Sequence, residues 1–431
     1  MQEKQAGIQR RFEINNFTAF RNKMLNWANR FSIFCLFENN GYHFTQPAFE
    51  CKLAAGCKTK IESNAGSALE ALKKFSKHHQ TNLFGYFGYD LKNETYKLAS
   101  SNNDSIGFSD LFFFEPEFII TVNERDVNVD GADNPEIIFA AINDCNEVIQ
   151  PSVKTQVQMQ SRLSKKEYTG IIHQLQQHIH RGDCYEINFC QEFYAVNAVI
   201  DPVYIYSQLA SLSPNPFSVL LKAEDKFCLS ASPERYLKKT GNHIISQPMK
   251  GTSKRNFLNK GEDEAAKKYL QQSEKEKSEN VMVVDLVRND LSRICKKGSV
   301  KVDELFGVYS FPQVHQMIST VGGELNDEIN WTDIIKATFP MGSMTGAPKK
   351  RVMELIEQYE KTKRGLFSGA IGYITAERDF DFNVVIRSIL YNSSVAYLSF
   401  HTGSGITFYS DAEKEYEECL VKAAAMKQVL L

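Results

Sequence analysis

The sequence predicts an α+β fold with antiparallel or mixed strands, on three observations. From "SKKEYTGIIHQLQQHIHRGD" (164–183) onward, helical and strand-like runs follow one another, but less regularly than repeated βαβ units would. The runs "DFNVVIRSILY" (381–391) and "VAYLSFHTGSGITF" (395–408) alternate apolar and polar residues, the period of strands with two different faces. A Gly-aromatic echo, "FGYFGYD" (84–90) against "SGAIGYI" (368–374), hints at an internal duplication.

In chain order, "FSIFCLF" (31–37) and "DLFFFEPEFIITV" (110–122) read as strands, and "SALEALKKFSKHH" (67–79) as a helix. The polar stretches 126–136 ("DVNVDGADNPE") and 150–161 read as surface connections. "TGNHIIS" (240–246) reads as a hairpin turn, which would bring Glu234 and Lys250 near each other on paired strands. In "SEKEKSENVMVVDLVRNDLSRI" (273–294), Val283, Val287, Leu291 and Ile294 fall at helical spacing, so Glu276 and Glu279 share a helix face. Pro348 in "GSMTGAPKKRVMELIEQYE" sits where a helix begins, leaving amides free for a carboxylate. Near the end, Ser410 and Glu413 form a capping-box pattern, which opens a helix carrying Glu415 and Glu418.

Bulk properties exclude several classes. The chain has 431 residues, 42% hydrophobic and 24% charged, with a formal net charge of −2. No segment concentrates Lys and Arg as a nucleic-acid-binding stripe would. No apolar run is long enough for a membrane span, and "MQEKQAGIQRR" lacks the apolar core of a secretory signal. Nine scattered cysteines, an odd number without tight metal-ligand spacing, read as free thiols in a reducing cytoplasm.

Several side chains are candidates for chemistry. Each glutamate pair is open to two readings, a solvated helix face or a site for a hard cation that keeps several waters. Gly403 and Gly405 in "HTGSGITF" are read as a turn, either plain or a nest of amides for an anion. Arg387 is read on a strand sharing a face with Asn383 and Val385, where it needs a buried anion or a paired carboxylate. Glu234 and Lys250 are equally compatible with a simple ion pair.

Taken together, "GDCYEINFCQEF", "SASPERYL", "QPMKGT", "ENVMVVDLVRNDLSRI", "GSMTGAPKKR", "SGAIGYI", "DFNVVIRS" and "GSGI" with "SDAEKEYEE" resemble the chorismate-utilising enzymes. That family includes the large subunits of anthranilate synthase and aminodeoxychorismate synthase. The resemblance runs over about 160–431 and implies a layered α/β/β/α arrangement with an internal duplication. It divides the chain into a variable amino-terminal part (1–155) and a chorismate-binding catalytic part (156–431). It also implies magnesium on the ring carboxylate of chorismate, with Glu279 and Glu418 as ligands and Glu276 and Glu415 supporting through water. Arg387 and Tyr373 match positions that grip the enolpyruvyl carboxylate. Gly251, Thr252, Ser343, Thr345, Gly403 and Gly405 fall in segments approaching the substrate.

Lys250 in "QPMKGT" resembles the aminodeoxychorismate synthase branch, where anthranilate synthases carry Ala. In that branch the lysine amine attacks the ring and a glutamate, here Glu234, protonates the departing hydroxyl. Lys250 would then need a lowered pKa and Glu234 a raised one. Water-adding relatives carry a Lys base where this chain has Glu186, and amino-transferring relatives usually carry Gln there. Relatives also tend to have His where this chain has Gln316, with His315 one step earlier. The chain lacks a recognisable glutamine-hydrolysing motif, so ammonia is expected from a separate glutamine amidotransferase subunit.

Overall fold

The computed structural model describes residues 10–42, 49–131, 134–256, 258–311 and 314–431. The amino-terminal segment read as lacking a secretory core falls largely outside these residues.

Two antiparallel sheets stack face to face, with helices on their outer faces. Among the described residues, one sheet has twelve strands and the other ten. The centre of the twelve-stranded sheet runs Ile33–Glu38, Phe217–Ala223, Lys226–Ser232, Ser388–Asn392, Tyr397–Ile406, Glu186–Ala195. The ten-stranded sheet includes, in order, Met249–Lys254, Val314–Glu324, His243–Gln247, Arg235–Thr240, Phe380–Asn383, Ala370–Ile374 and Leu83–Phe87. Strands from before and after residue 155 enter both sheets.

Two cores follow from this layering. In the first, Phe34, Leu36, Phe189 and Phe400 on one face of the twelve-stranded sheet pack with Met24, Ile172, Leu209 and Cys419 of outer helices. In the second, residues of the opposite parity, such as Cys35, Phe37 and Cys190, meet Phe84, Phe87 and Phe382 of the other sheet. That core continues to Leu69, Val284 and Ile334, on helices covering the ten-stranded sheet. The two-residue period of a strand separates these neighbourhoods: one parity faces helices and the other the second sheet.

Several expected elements are present. The helix at 67–79 is Ala68–His78, the glutamate-bearing helix is Glu274–Ser292, and the last helix is Ala412–Gln428. The hairpin at Gly241 joins Arg235–Thr240 to His243–Gln247. The run 110–122 is two strands, Leu111–Glu115 and Phe118–Val122, which join different sheets. The Gly-aromatic echo pairs with itself: Gly85 lies opposite Gly372 across adjacent antiparallel strands.

Four expectations are corrected. Part of the presumed connection at 126–136 is a strand, Asp126–Asp130, paired with Phe118–Val122; residues 132–133 lie outside the described set. The last helix is capped by Asp411, whose side chain accepts from the amides of Glu413 and Lys414, while Ser410 Oγ accepts from Thr407 N instead. Gly403 and Gly405 lie inside the strand Tyr397–Ile406, not in a turn. The run 381–391 is not one strand: Phe380–Asn383 belongs to the ten-stranded sheet and Ser388–Asn392 to the other. Arg387, at the crossing, has a left-handed backbone with φ +51°.

This crossing creates the site. Ser388–Asn392 pairs Ser388 with Ser230 and Leu390 with Ser399, then stops. Beyond it, among the described residues, no strand lies between the ends of its two neighbours near Ala231 and Thr402–Ile406. A cavity of about 830 Å³ is lined by Ala231, Pro233, Arg387, Gly403 and Gly405 at this gap.

Candidate active site

The cavity gathers most of the predicted residues. Glu234, Lys250, Gly251, Thr252, Glu276, Glu279, Ser343, Arg387, Gly403, Gly405, Glu415 and Glu418 all line it. Seven parts of the chain supply them: the segment just after Lys226–Ser232, the strand Met249–Lys254, the two glutamate-bearing helices, the turn Gly342–Met344, the sheet-crossing segment and the strand Tyr397–Ile406.

Lys250 lies where the carboxylates of Glu186, Glu279 and Glu418 converge. Its Nζ is 2.5 Å from Glu186 Oε1 and 3.8 Å from Glu279 Oε2. Burial pulls its pKa down, but Glu186, Glu279 and Glu418 outweigh burial and hold it as an ammonium, above the ordinary lysine range. The expectation of a lowered pKa is therefore reversed, because the carboxylates nearest the amine stabilise its charge. The lysine backbone is fixed as well: Asn280 Nδ2 donates to Lys250 O at 3.3 Å, and Gln316 Nε2 donates to Gly251 O at 2.6 Å. Gly251 adopts φ +95°, a conformation open to glycine at little steric cost. Gly405 is required for space, since a β-carbon there would overlap Lys250 Nζ and Glu186 Oε1.

Glu234 is almost fully buried and accepts from Ser343 Oγ at 2.6 Å. Burial raises its pKa to about 7, against the opposing pull of Ser343, the Met249 amide, Lys250 and Arg387. The expected upward shift is present. Ser343 is itself held: Asn188 Nδ2 donates to its carbonyl at 2.8 Å. The buried Arg364 donates to Met344 O at 2.7 Å and Asn188 O at 2.8 Å, and pairs with Glu360 at 2.6 Å. This guanidinium ties the Gly342–Met344 turn to the strand carrying Glu186 and Asn188.

Arg387 faces the cavity, and among the described residues its guanidinium makes no hydrogen bond and no ion pair. Burial lowers its pKa while Glu234 and Tyr42 oppose the shift. A largely desolvated guanidinium without a partner is a receptor for an anion, and its planar fork suits a carboxylate.

The acidic residues come from two helices. Burial first, and Glu418 after it, raise Glu276; burial, Glu186 and Glu276 raise Glu279 to about 7 despite Lys250 and Lys275. Lys422 lowers Glu418, 2.8 Å away, and Lys275 stands 3.8 Å from Glu279. Oxygen donors that repel one another across a shared cavity suit a hard divalent cation. Among the described residues, no three His, Cys, Asp or Glu side chains are already drawn together as a ligand set. The donors fit such an ion in chemistry, with lysines now supplying the counter-charge.

Two predicted residues are not in the cavity. Tyr373 is buried between the sheets, with its ring against Phe37 and Phe84 and Lys52 Nζ 4.4 Å above its face. Phe367, six residues earlier, lines the cavity instead and stacks on His401 at 4.9 Å. Thr345 is fully buried, with Oγ1 donating to Met341 O and Gly342 O in its own turn. Pro348 does precede the helix Lys349–Tyr359, but that helix start is not among the cavity residues. His315 points away, bonded to Ser310 Oγ and Asp263 O, whereas Gln316 lines the cavity. Lys275, Lys422 and His401 also line the cavity, and the signal for the two lysines is their i,i+4 spacing from Glu279 and Glu418 on the same helices. All nine cysteines are free, and among the described residues no helix is long and apolar enough to cross a membrane.

The model of the family described as chorismate binding enzyme matches residues 32–428. Aminodeoxychorismate synthase component 1 of Klebsiella aerogenes is 33% identical, over 78% of this chain and 74% of that protein. Anthranilate synthase component 1 of Saccharolobus solfataricus is 31% identical, over 81% of this chain and 80% of its own length. The crystal structure of anthranilate synthase component I from Streptococcus pneumoniae TIGR4 superposes with a TM-score of 0.77 at 26% identity, covering 90% of this chain and 94% of that one. With its two stacked sheets and this cavity, the chain belongs to the chorismate binding enzyme family and is a chorismate-utilising enzyme.

Proposed function

We propose that this protein is the chorismate-aminating component of aminodeoxychorismate synthase. It would convert chorismate to 4-amino-4-deoxychorismate, toward 4-aminobenzoate and folate, with ammonia from a glutamine amidotransferase subunit. The observation that carries this reading is a lysine, Lys250, in the wall of the cavity that also holds Glu234, a carboxyl raised to about 7. Relatives named aminodeoxychorismate synthase component 1 support it.

The mechanism follows from the side chains. Arg387 receives the enolpyruvyl carboxylate. Lys250 sheds its proton, for which Glu186 Oε1 lies within hydrogen-bond reach at 2.5 Å. The neutral amine then attacks the ring carbon beside the carboxylate-bearing one, forming a carbon–nitrogen bond as the ring double bonds shift. The ring hydroxyl leaves as water with the proton of Glu234. Ammonia adds where the hydroxyl left, the double bonds shift back and Lys250 is released. Glu279 and Glu418, with Glu276 and Glu415 supporting, would hold magnesium. When bound, that ion would neutralise the ring carboxylate and make the ring a better electron sink.

The test is product identification after incubation with chorismate, magnesium and ammonium. Aminodeoxychorismate without pyruvate is expected; anthranilate with pyruvate would overturn the reading. Arg387→Ala is expected to raise the KM for chorismate about ten- to a hundredfold, the loss of charge-assisted hydrogen bonds to one carboxylate, with a smaller change in kcat. Steady-state kinetics over a chorismate series checks this.

A further inference from the structure

Glu186 is the first residue of the strand Glu186–Ala195 and is 3% exposed. One carboxylate oxygen contacts Lys250; the other, Oε2, is buried without a hydrogen-bond partner. A buried carboxylate with an unpartnered oxygen is costly and persists where its neighbour compensates it. Its neighbour here is the Lys250 ammonium, in the space that Gly405 leaves open.

The lysine has a second carboxylate in reach. Glu279 Oε2 is 3.8 Å from Nζ, and the lysine stem is long and flexible. Which carboxylate takes the ammonium therefore decides whether Glu279 is free for another cation.

We propose that Glu186 is a positioning residue that holds Lys250 away from Glu279 and so keeps the Glu279 carboxylate open to a divalent cation. This rests on the reading above that Glu279 belongs to a cation site. Without Glu186, the ammonium turns to Glu279 and competes with the ion for the same oxygens. Glu186 thus acts on the ion only through Lys250, in addition to any part in moving the lysine proton.

A double-mutant cycle on the full chain tests this, with magnesium alone as the titrant and affinity read by calorimetry. Glu186→Gln is expected to weaken magnesium about tenfold when Lys250 is present, the scale of losing an outer-shell partner. In the Lys250→Met background the same change should cost less than about twofold, because no ammonium remains to swing. Glu186→Asp, which keeps the charge on a shorter stem, should fall between wild type and Glu186→Gln. Equal losses in both backgrounds would mean plain through-space electrostatics, and that result, or no loss in either, overturns the proposal. Absence of magnesium binding by wild type would overturn the cation reading itself and this inference with it. Thermal melts of all variants separate either result from misfolding.

Discussion

Lys250→Ala is expected to reduce chorismate amination to about one thousandth of the wild-type rate or less, while chorismate still binds. The reasoning is specific to the lysine's surroundings. Lys250 lies among carboxylates that hold its charge, so deletion removes both the proposed nucleophile and the counter-charge of Glu186. A missing nucleophile cannot be replaced by binding interactions alone, and loss of such a group is grossly non-additive with its partners. Arg387 and Ser343 do not depend on the lysine for their positions, so chorismate affinity, read by fluorescence or calorimetry, should change far less than turnover. Near-normal turnover by Lys250→Ala would remove the nucleophile from the account.

Glu234→Gln is expected to lower kcat by about 10²- to 10⁴-fold, the usual contribution of a general acid. Its pH dependence carries more information. Glu234 donates a proton, and its pKa is about 7, so wild-type activity should fall as pH rises through 7. Glu279 also ionises near 7, but there ionisation favours cation binding, so its effect has the opposite sign. Loss of the alkaline fall in Glu234→Gln alone separates the two.

Stability gives an independent check. The Glu234 pKa rises from 4.5 to about 7 on folding, so the folded state binds this proton more tightly. The stability it contributes is fully present below about 4.5 and is lost as pH rises through 7, amounting to about 3 kcal/mol. Glu234→Gln, which cannot ionise, should therefore gain in melting temperature relative to wild type at pH 8 and not at pH 5.

Much of the site was legible in sequence because it lies in short ordered motifs. Glu276 and Glu279, three apart on one helix, and Glu415 and Glu418 on another, reach one cavity as helical spacing requires. Glu234 and Lys250 meet because the hairpin at Gly241 folds the chain back, although Val314–Glu324, not the Glu234 strand, pairs with Met249–Lys254.

What failed were properties set by tertiary partners. At Arg387 the chain leaves one strand and changes sheets, and nothing local in "DFNVVIRS" marks the break. Tyr373 lies in the strand Ala370–Ile374 and Phe367 in the turn before it, a division that periodicity does not specify. Burial alone would lower the Lys250 pKa, but Glu186, sixty-four residues away in sequence and 2.5 Å away in space, helps reverse the shift. Gly403 and Gly405 looked like turn residues; they serve close approach instead, Gly403 to the Phe189 backbone and Gly405 to Lys250.

The central claim is that Lys250 forms a transient carbon–nitrogen bond to the substrate ring. Intact-protein mass spectrometry after incubation with chorismate and magnesium, with ammonium withheld, tests it most directly. The account predicts a protein gaining the mass of chorismate less one water, with the adduct mapping to the peptide that carries Lys250. An unmodified chain that nonetheless aminates chorismate once ammonium is added, with no adduct trapped under any quench, would contradict it.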